Sequence, residues 1–392
     1  MILTAVTAFI VLSVLVLVHE LGHFLAAKRV GVKVEEFGFG YPPRLYGKKI
    51  GGTIYSLNWL PFGGFVRLFG EELDQKIQNK EAFFNKSKRA RTLVIVAGVF
   101  FNFLLAVVIF AVVYSISGIP TQSGRVTVLE ALPGSPALQS GLKAGDVVLS
   151  VNSQILKSSQ DFIDLVEKEK GQEVVLEVER EKDNPCVSQV HGGISTAEEK
   201  PAFSCENGKL ILWATPRLEP PQGEGSLGVI ISDMEMKKFP WWQMPFAGIW
   251  QGIKEAFSWT GLIVQSLGKM FFDLFARGIV PQDVAGPVGI IQITGLVAKS
   301  GLLNILQFAG FLSINLMVIN ILPLPALDGG RLVFIIYEAV ARRKPKESVE
   351  RWTNSLGMSL LILLLLVATF NDFKRLAFFE NLGRWLGNLW PF

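Results

Sequence analysis

From Thr92 to Ile116 the chain is almost wholly apolar. As a helix that stretch exceeds the roughly 20 residues needed to cross a hydrocarbon layer about 30 Å thick. Ile2 to Val18 is a second such run, continuing through His-Glu-Leu-Gly-His and Phe-Leu-Ala-Ala to Lys28-Arg29. Backbone amides and carbonyls find no partners in lipid, so such runs must form helices that satisfy them internally. A purely soluble enzyme is excluded. Composition agrees: of 392 residues 50% are apolar and only 18% charged, with the apolar mass at the two ends and the charge in the middle. Two further runs, 302–322 and 355–370, bring the number of spans to about four. A cleaved signal peptide is the competing reading of the first run, but a positive n-region and an A-x-A site are both missing.

The net charge of +4 is unevenly distributed. Lys28 to Arg91 holds 13 Lys/Arg against 6 Asp/Glu, Arg331 to Arg351 holds 6 against 3, and Ile119 to Lys238 holds 12 against 18. Basic loops beside spans stay in the cytoplasm while long segments translocate largely regardless of charge. The first helix therefore leads inward, the second outward, and both termini lie outside. The basic clusters are topological signals, and nucleic-acid binding is a poor explanation of them.

These signals divide the chain. Residues 1–28 form a first transmembrane helix. Residues 29–91 are a cytoplasmic-side, membrane-associated β region and basic loop, because Gly38, Gly40, Pro42-Pro43, Gly51-Gly52, Pro61 and Gly63-Gly64 interrupt β-branched and aromatic residues as short strands and turns would. A second span follows at 92–118 and an extracytoplasmic unit at 119–238. Residues 239–301, rich in Trp and Phe but broken by Lys254, Glu255, Lys269 and Asp273, suit one or two amphipathic helices at the outer surface and a re-entrant turn at Gly286. The third span and its Leu-Asp-Gly-Gly motif occupy 302–331, a cytoplasmic loop or helix 332–354, the fourth span 355–371 and a tail 372–392. The fold class is a multi-pass α-helical membrane protein with a β-hairpin region and an inserted α+β domain.

Within that insert, Val126-Thr-Val and the stretch from Pro133 to Asn152 pack two turns, a short helix and a strand in succession. A helix at 161–170 and an alternating strand at 173–179 follow. The unit resembles a PDZ domain over about a hundred residues. In the circularly permuted bacterial form the peptide-binding strand comes last, and Gly225-Ser-Leu-Gly-Val-Ile-Ile fills that slot. Leu227, Gly228 and Val229 then stand where backbone amides hold a peptide carboxylate, and the peptide adds as an edge strand. A simple terminal strand is the plainer alternative. A polar insert, 183–207, holds the only two cysteines, Cys186 and Cys205. Outside the cytoplasm they could pair; two unpaired thiols in a loop is the other reading.

The chemistry sits in His19-Glu20-Leu21-Gly22-His23. Histidines at i and i+4 fall on one helical face and can chelate one ion, with Glu20 beside it as a base. Ionisable groups inside a span are functional by default. His191, the third and last histidine, lies in the polar insert and reads as solvated. A catalytic zinc usually has three protein ligands. Asp328 is the candidate third, following directly on a span between Leu327 and Gly329-Gly330; an ordinary Asp-Gly turn is the alternative.

Together, His-Glu-Leu-Gly-His in the first span and Asn-x4-Asn-x2-Pro-x-Pro-x2-Leu-Asp-Gly-Gly in a later one resemble the site-two protease family of intramembrane zinc metalloproteases. The PDZ-like unit, Pro61-Phe-Gly-Gly-Phe-Val and Gly286-Pro-Val-Gly-Ile are similar to the bacterial regulator of sigma-E protease branch, with one PDZ domain where some members carry two. The resemblance implies zinc on His19, His23 and Asp328, Glu20 as catalytic base, and substrate handling by Asn315 and Asn320. Hydrogen bonding to neighbouring helices is the alternative for both asparagines. The resemblance also implies a bacterial cytoplasmic membrane, an active site near its inner face and single-pass membrane-protein substrates; the PDZ-like unit and surface helices, lying outside above that site, would admit only segments already trimmed by another protease. Lys28 lies five residues beyond His23, about 7.5 Å along a helix, which agrees with that depth. Two other function classes remain: a non-catalytic PDZ scaffold, which leaves the ionisable residues unexplained, and a metal transporter, which leaves Glu20 unexplained.

Overall fold

The computed structural model describes residues 2–71, 79–180, 203–206, 209–221, 223–278 and 286–375. The chain divides into two compact units, one made of 1–116 with 240–392 and the other of 117–239.

The first unit opens with helix α1 (Ile2–Arg29). A hairpin of β1 (Val34–Ile50) and β2 (Thr53–Leu68) follows. Gly51 and Gly52 both have positive φ, +55° and +85°, as a tight two-residue hairpin turn requires. Sequence suggests that Gly38, Gly40, Pro42-Pro43, Pro61 and Gly63-Gly64 also end strands, but they lie within β1 and β2. They coincide with repeated shifts of register, where bulges bend a strand without breaking it. The result is two long strands in place of several short ones. Burial alternates along the base of β1 from Val34 to Gly40, while its outer half from Tyr41 onward is exposed.

Helix α2 (Lys88–Ser117) comes next. In the second unit the elements are β3 (Ile119–Ala131), α3 (Pro136–Gln139), β4 (Val147–Val151), β5 (Gln154–Ile155), α4 (Ser159–Lys168), β6 (Val174–Glu179), β7 (Phe203–Glu206), β8 (Lys209–Ala214) and β9 (Val229–Lys237). They form one sheet in the order β7-β8-β6-β4-β3-β9, with β5 paired to β4. Val126, Val128, Val148, Leu176, Val178, Leu210 and Leu212 build its core with Phe162 and Val166 of α4. Alternation along β6 and β8 puts those residues on one face. Ser158 caps α4 in a reciprocal capping box with Asp161. Of the polar insert 183–207, residues 203–206 with Cys205 form β7, while 183–202, with Cys186 and His191, lie outside the described residues, and so does the pairing expected of Cys186 with Cys205.

The chain returns to the first unit with α5 (Met244–Arg277), α6 (Pro287–Lys299), α7 (Leu302–Ile321), α8 (Asp328–Ala341) and α9 (Glu347–Arg375). Four described helices, α1, α2, α7 and α9, are long and apolar enough to cross a membrane. The Trp-rich stretch is one helix, α5, packed along α2: a Cβ on Gly252 would overlap the backbone of Val107 and Ala111, and Trp259 meets Phe311 of α7 edge-on at 4.9 Å. At the start of α6, Asp372 of α9 accepts the amides of Gly286 (3.0 Å) and Gly289 (2.8 Å), capping amides that a helix start leaves unpaired. A core of Ala26, Ala27, Val32, Val34, Leu68, Phe83, Val94, Ile95 and Ile335 joins α1, the hairpin base, α2 and α8.

Candidate active site

Three ligand-type atoms converge in the first unit. His19 Nε2 lies 3.1 Å from His23 Nε2 and 3.1 Å from Asp328 Oδ2, which is 3.2 Å from His23 Nε2. Both histidines are buried. They are one turn apart on α1, as their spacing requires. Among the described residues they form, with Asp328, the one set of three that could hold a metal ion.

Tight backbone packing sets this geometry. A Cβ on Gly22 would overlap the Ala97 carbonyl, and one on Gly98 would overlap the His23 imidazole. These two glycines let α1 and α2 approach closely enough for His23 Nδ1–H to donate to Val94 O at 2.8 Å. That bond leaves the Nε2 lone pair for a metal. Asp328 is placed in the same way. It is the first residue of α8 rather than part of a free turn, and the segment before it folds back over Gly329 and Gly330. Side chains there would overlap the carbonyls of Ile321, Leu322 and Leu324.

Zinc fits this donor set. Ligand atoms about 2.0–2.1 Å from a tetrahedral ion lie roughly 3.3 Å apart, close to the three separations above. Asp328 Oδ2 is buried with no hydrogen-bond donor aimed at it, which a cation would relieve.

Glu20 stands beside this set, its Oε2 accepting the Val66 N–H of β2 at 3.0 Å. His19, Glu20, His23, Asp328 and Asn320 line one cavity of about 390 Å³, together with Tyr41, Phe65, Val66, Leu316 and Arg331. Glu71 and Arg331, which form an ion pair, border both this cavity and a neighbouring one of about 660 Å³.

Over residues 7–364 the chain matches the model of peptidase family M50. The chain belongs to that family. M50 is the site-two protease family, and this member is a zinc metalloprotease. A Clostridium perfringens protein, provisionally named a zinc metalloprotease, is 33% identical over 367 residues, covering 93% of this chain and 97% of its own. The Geobacillus kaustophilus zinc metalloprotease RasP is 28% identical over 452 residues, 95% of this chain and 98% of the relative. The Bacillus subtilis regulator of sigma-W protease RasP is also 28% identical over 452 residues, 95% and 99% of the two chains.

Not every residue singled out from sequence reaches the M50 site. The Asn315 side-chain amide donates to Phe311 O, one turn back on its own helix, at 3.1 Å. It does not line the cavity, so the geometry lends its substrate role no support. In the second unit Gly228 has φ +64° and a Cβ there would overlap Ser135. Its amide already donates to Gly225 O at 2.9 Å, so of the three amides expected to hold a carboxylate this one is engaged in a turn. Leu227 is buried, and its carbonyl accepts the Ala137 amide at 3.0 Å.

Sequence reasoning missed several contacts in and near the site. The Val66 amide on Glu20 is a backbone group with no residue signature. The buried Arg91–Glu338 ion pair, 2.6 Å, joins residues 247 apart. Asn102 lies 3.2 Å from His19, and a polar residue in the middle of an apolar run could have marked it.

Proposed function

We propose that this protease cleaves peptide bonds within or near the transmembrane segments of other membrane proteins. The observation that carries the reading is the buried convergence of His19, His23 and Asp328 beside Glu20, on a framework of helices long and apolar enough to span a bilayer.

His19, His23 and Asp328 would hold the ion. Zinc held there supplies Lewis acidity, acidifying water and polarising a carbonyl. Glu20 is the general base: with Oε2 fixed by the Val66 amide, its carboxylate takes the proton of the attacking water and passes it to the leaving nitrogen. Asn320, on the same cavity wall, donates its amide to the carbonyl oxygen as charge grows there. A membrane helix hides its peptide bonds in internal hydrogen bonds, so the substrate must unwind before attack. The long hairpin offers open strand edges for the unwound segment to pair with. Proline substitutions along one edge that leave cleavage intact would count against that role.

In this reading the chain sits in a bacterial cytoplasmic membrane, with the basic segments inside and the unit 117–239 outside. That unit is a PDZ domain whose edge strand β9, next to α4, takes a peptide C-terminus by strand addition. It screens substrates by the size of their outer domains, so that segments already trimmed by another protease are the ones cleaved.

The test uses the purified full chain in detergent or liposomes with a single-pass substrate, intact or trimmed. Zinc-dependent cleavage of the trimmed form, lost in Glu20→Gln while zinc is retained, is the expected result. A folded chain that takes up no zinc, or a Glu20→Gln variant that still cleaves, would sink the proposal.

A further inference from the structure

Asn102 sits fully buried in the apolar stretch of α2 and has no part in the donor set described above. Its side-chain amide faces the ring edge of His19 opposite the metal-facing edge, with Nδ2 3.2 Å from His19 Nδ1. Its Oδ1 is buried and has no partner. Ser313 of α7, also fully buried, donates its hydroxyl to the backbone carbonyl of Asn102 at 2.8 Å. The residue is thus held where α1, α2 and α7 meet, beside the first zinc-motif histidine.

The direction of the Asn102–His19 bond follows from the chemistry of imidazole. A neutral ring carries one proton, and the nitrogen without it is the metal ligand. If Nδ2 donated into Nδ1, the His19 proton would sit on Nε2. That is the atom 3.1 Å from both His23 Nε2 and Asp328 Oδ2, so the proton would fill the seat of the ion. A half-turn of the amide about its Cβ–Cγ bond exchanges oxygen and nitrogen without moving any other atom. Nδ1–H then donates to Oδ1, and the Nε2 lone pair is released toward the other two ligands. His23 already follows this pattern, with Nδ1–H on Val94 O of the same helix α2.

We propose that Asn102 is a positioning residue of the zinc site: its side-chain carbonyl accepts the Nδ1–H of His19 and fixes the tautomer that presents Nε2 to the ion. One transmembrane helix thereby orients both histidines, through a backbone carbonyl for His23 and a side chain for His19. The inference rests on the zinc reading of the site.

The experiment measures zinc affinity by chelator competition in the detergent-purified full chain. Wild type is compared with Asn102→Ala, Asn102→Leu and Asn102→Asp, with the melting temperature of each metal-free form recorded. Loss of an outer acceptor on a metal-bound histidine typically weakens metal binding about 10–100-fold. That loss is expected for Ala and Leu. Asp can only accept, so it should stay within about threefold of wild type. If Asp instead bound zinc no better than Ala, an acceptor at this position would not be what the site uses, and the proposal would fall. It would fall equally if Ala bound zinc as wild type does.

A second readout needs no substitution and stands even where a variant fails to fold. In zinc-loaded wild type labelled with 15N-histidine, the His19 resonances should report a protonated Nδ1 and a metal-bound Nε2; an unprotonated Nδ1 overturns the proposal. Wild type that takes up no zinc removes the metal reading itself. Zinc-binding wild type with an indifferent Asn102→Ala removes only the role assigned here.

Discussion

The backbone N–H of Val66 donates to the Glu20 carboxylate across 3.0 Å, tying the base on α1 to strand β2. A main-chain donor cannot be lost by changing a side chain, except by proline, which lacks the N–H. Val66→Pro should therefore leave zinc content intact and lower the cleavage rate by about 10²-fold, the usual effect of misplacing a catalytic group by an ångström or so. Rates measured beside metal analysis on the same preparation will check it; a fall in both would point to collapse of the hairpin.

Binding and chemistry should separate at neighbouring residues. Asp328→Ala removes one of three ligands, so stoichiometric zinc should drop. Glu20→Gln keeps all three and removes the proton acceptor, so zinc should stay while turnover falls about 10²–10⁴-fold. Metal analysis of both variants decides whether two motifs some 300 residues apart form one site.

Gly98 should be irreplaceable for a steric reason. Its missing side chain leaves the space that the His23 imidazole fills, so Gly98→Ala must displace a metal ligand. Zinc affinity is expected to fall at least as far as in the Asp328 variant, with no charge or hydrogen bond altered. Normal zinc uptake by Gly98→Ala would show that α1 and α2 can separate without disturbing the site.

The two asparagines of α7 should behave differently. Asn320 lines the catalytic cavity, and its replacement by Ala should lower kcat by about 10²–10³-fold, as loss of one oxyanion donor does. Asn315 bonds its own helix, so Asn315→Ala should change kcat less than about threefold. Equal losses at both positions would return Asn315 to the substrate.

Arg91 and Glu338 form a largely buried ion pair at 2.6 Å, with side-chain exposures of 4% and 12%. Breaking such a pair from one side strands a charge, so Glu338→Gln should destabilise the detergent-solubilised chain by about 3 kcal/mol. Replacing both partners by apolar residues of similar size should recover most of that loss, because it also removes the desolvation cost. Thermal melts of the single and double variants give the comparison.

The apolar runs and the histidine spacing were legible in the sequence because each follows from local periodicity or solvent preference. Helix length reads directly as bilayer thickness, and i, i+4 spacing reads as one face. The hairpin was legible in position but not in form: Gly51-Gly52 do end the strands, while Gly38, Gly40 and Gly63-Gly64 look like strand ends in one dimension and lie within two long, register-shifted strands. The Trp-rich stretch was likewise identified as amphipathic, yet its packing along α2 depends on Gly248 and Gly252 meeting a helix more than a hundred residues away.

His19, Glu20 and His23 were named by the sequence itself, since few contexts keep such groups in an apolar helix, and Asp328 was the candidate third ligand because it follows directly on a span. Tertiary structure alone decided what makes them a site. The approach of α1 to α2 at Gly22 and Gly98, the fold-back over Gly329-Gly330, and the contacts of Val66, Val94 and Asn102 are pairings between distant segments. A local pattern fixes which groups share a helical face; only packing fixes the ångström-scale distances at which they hold an ion and move a proton.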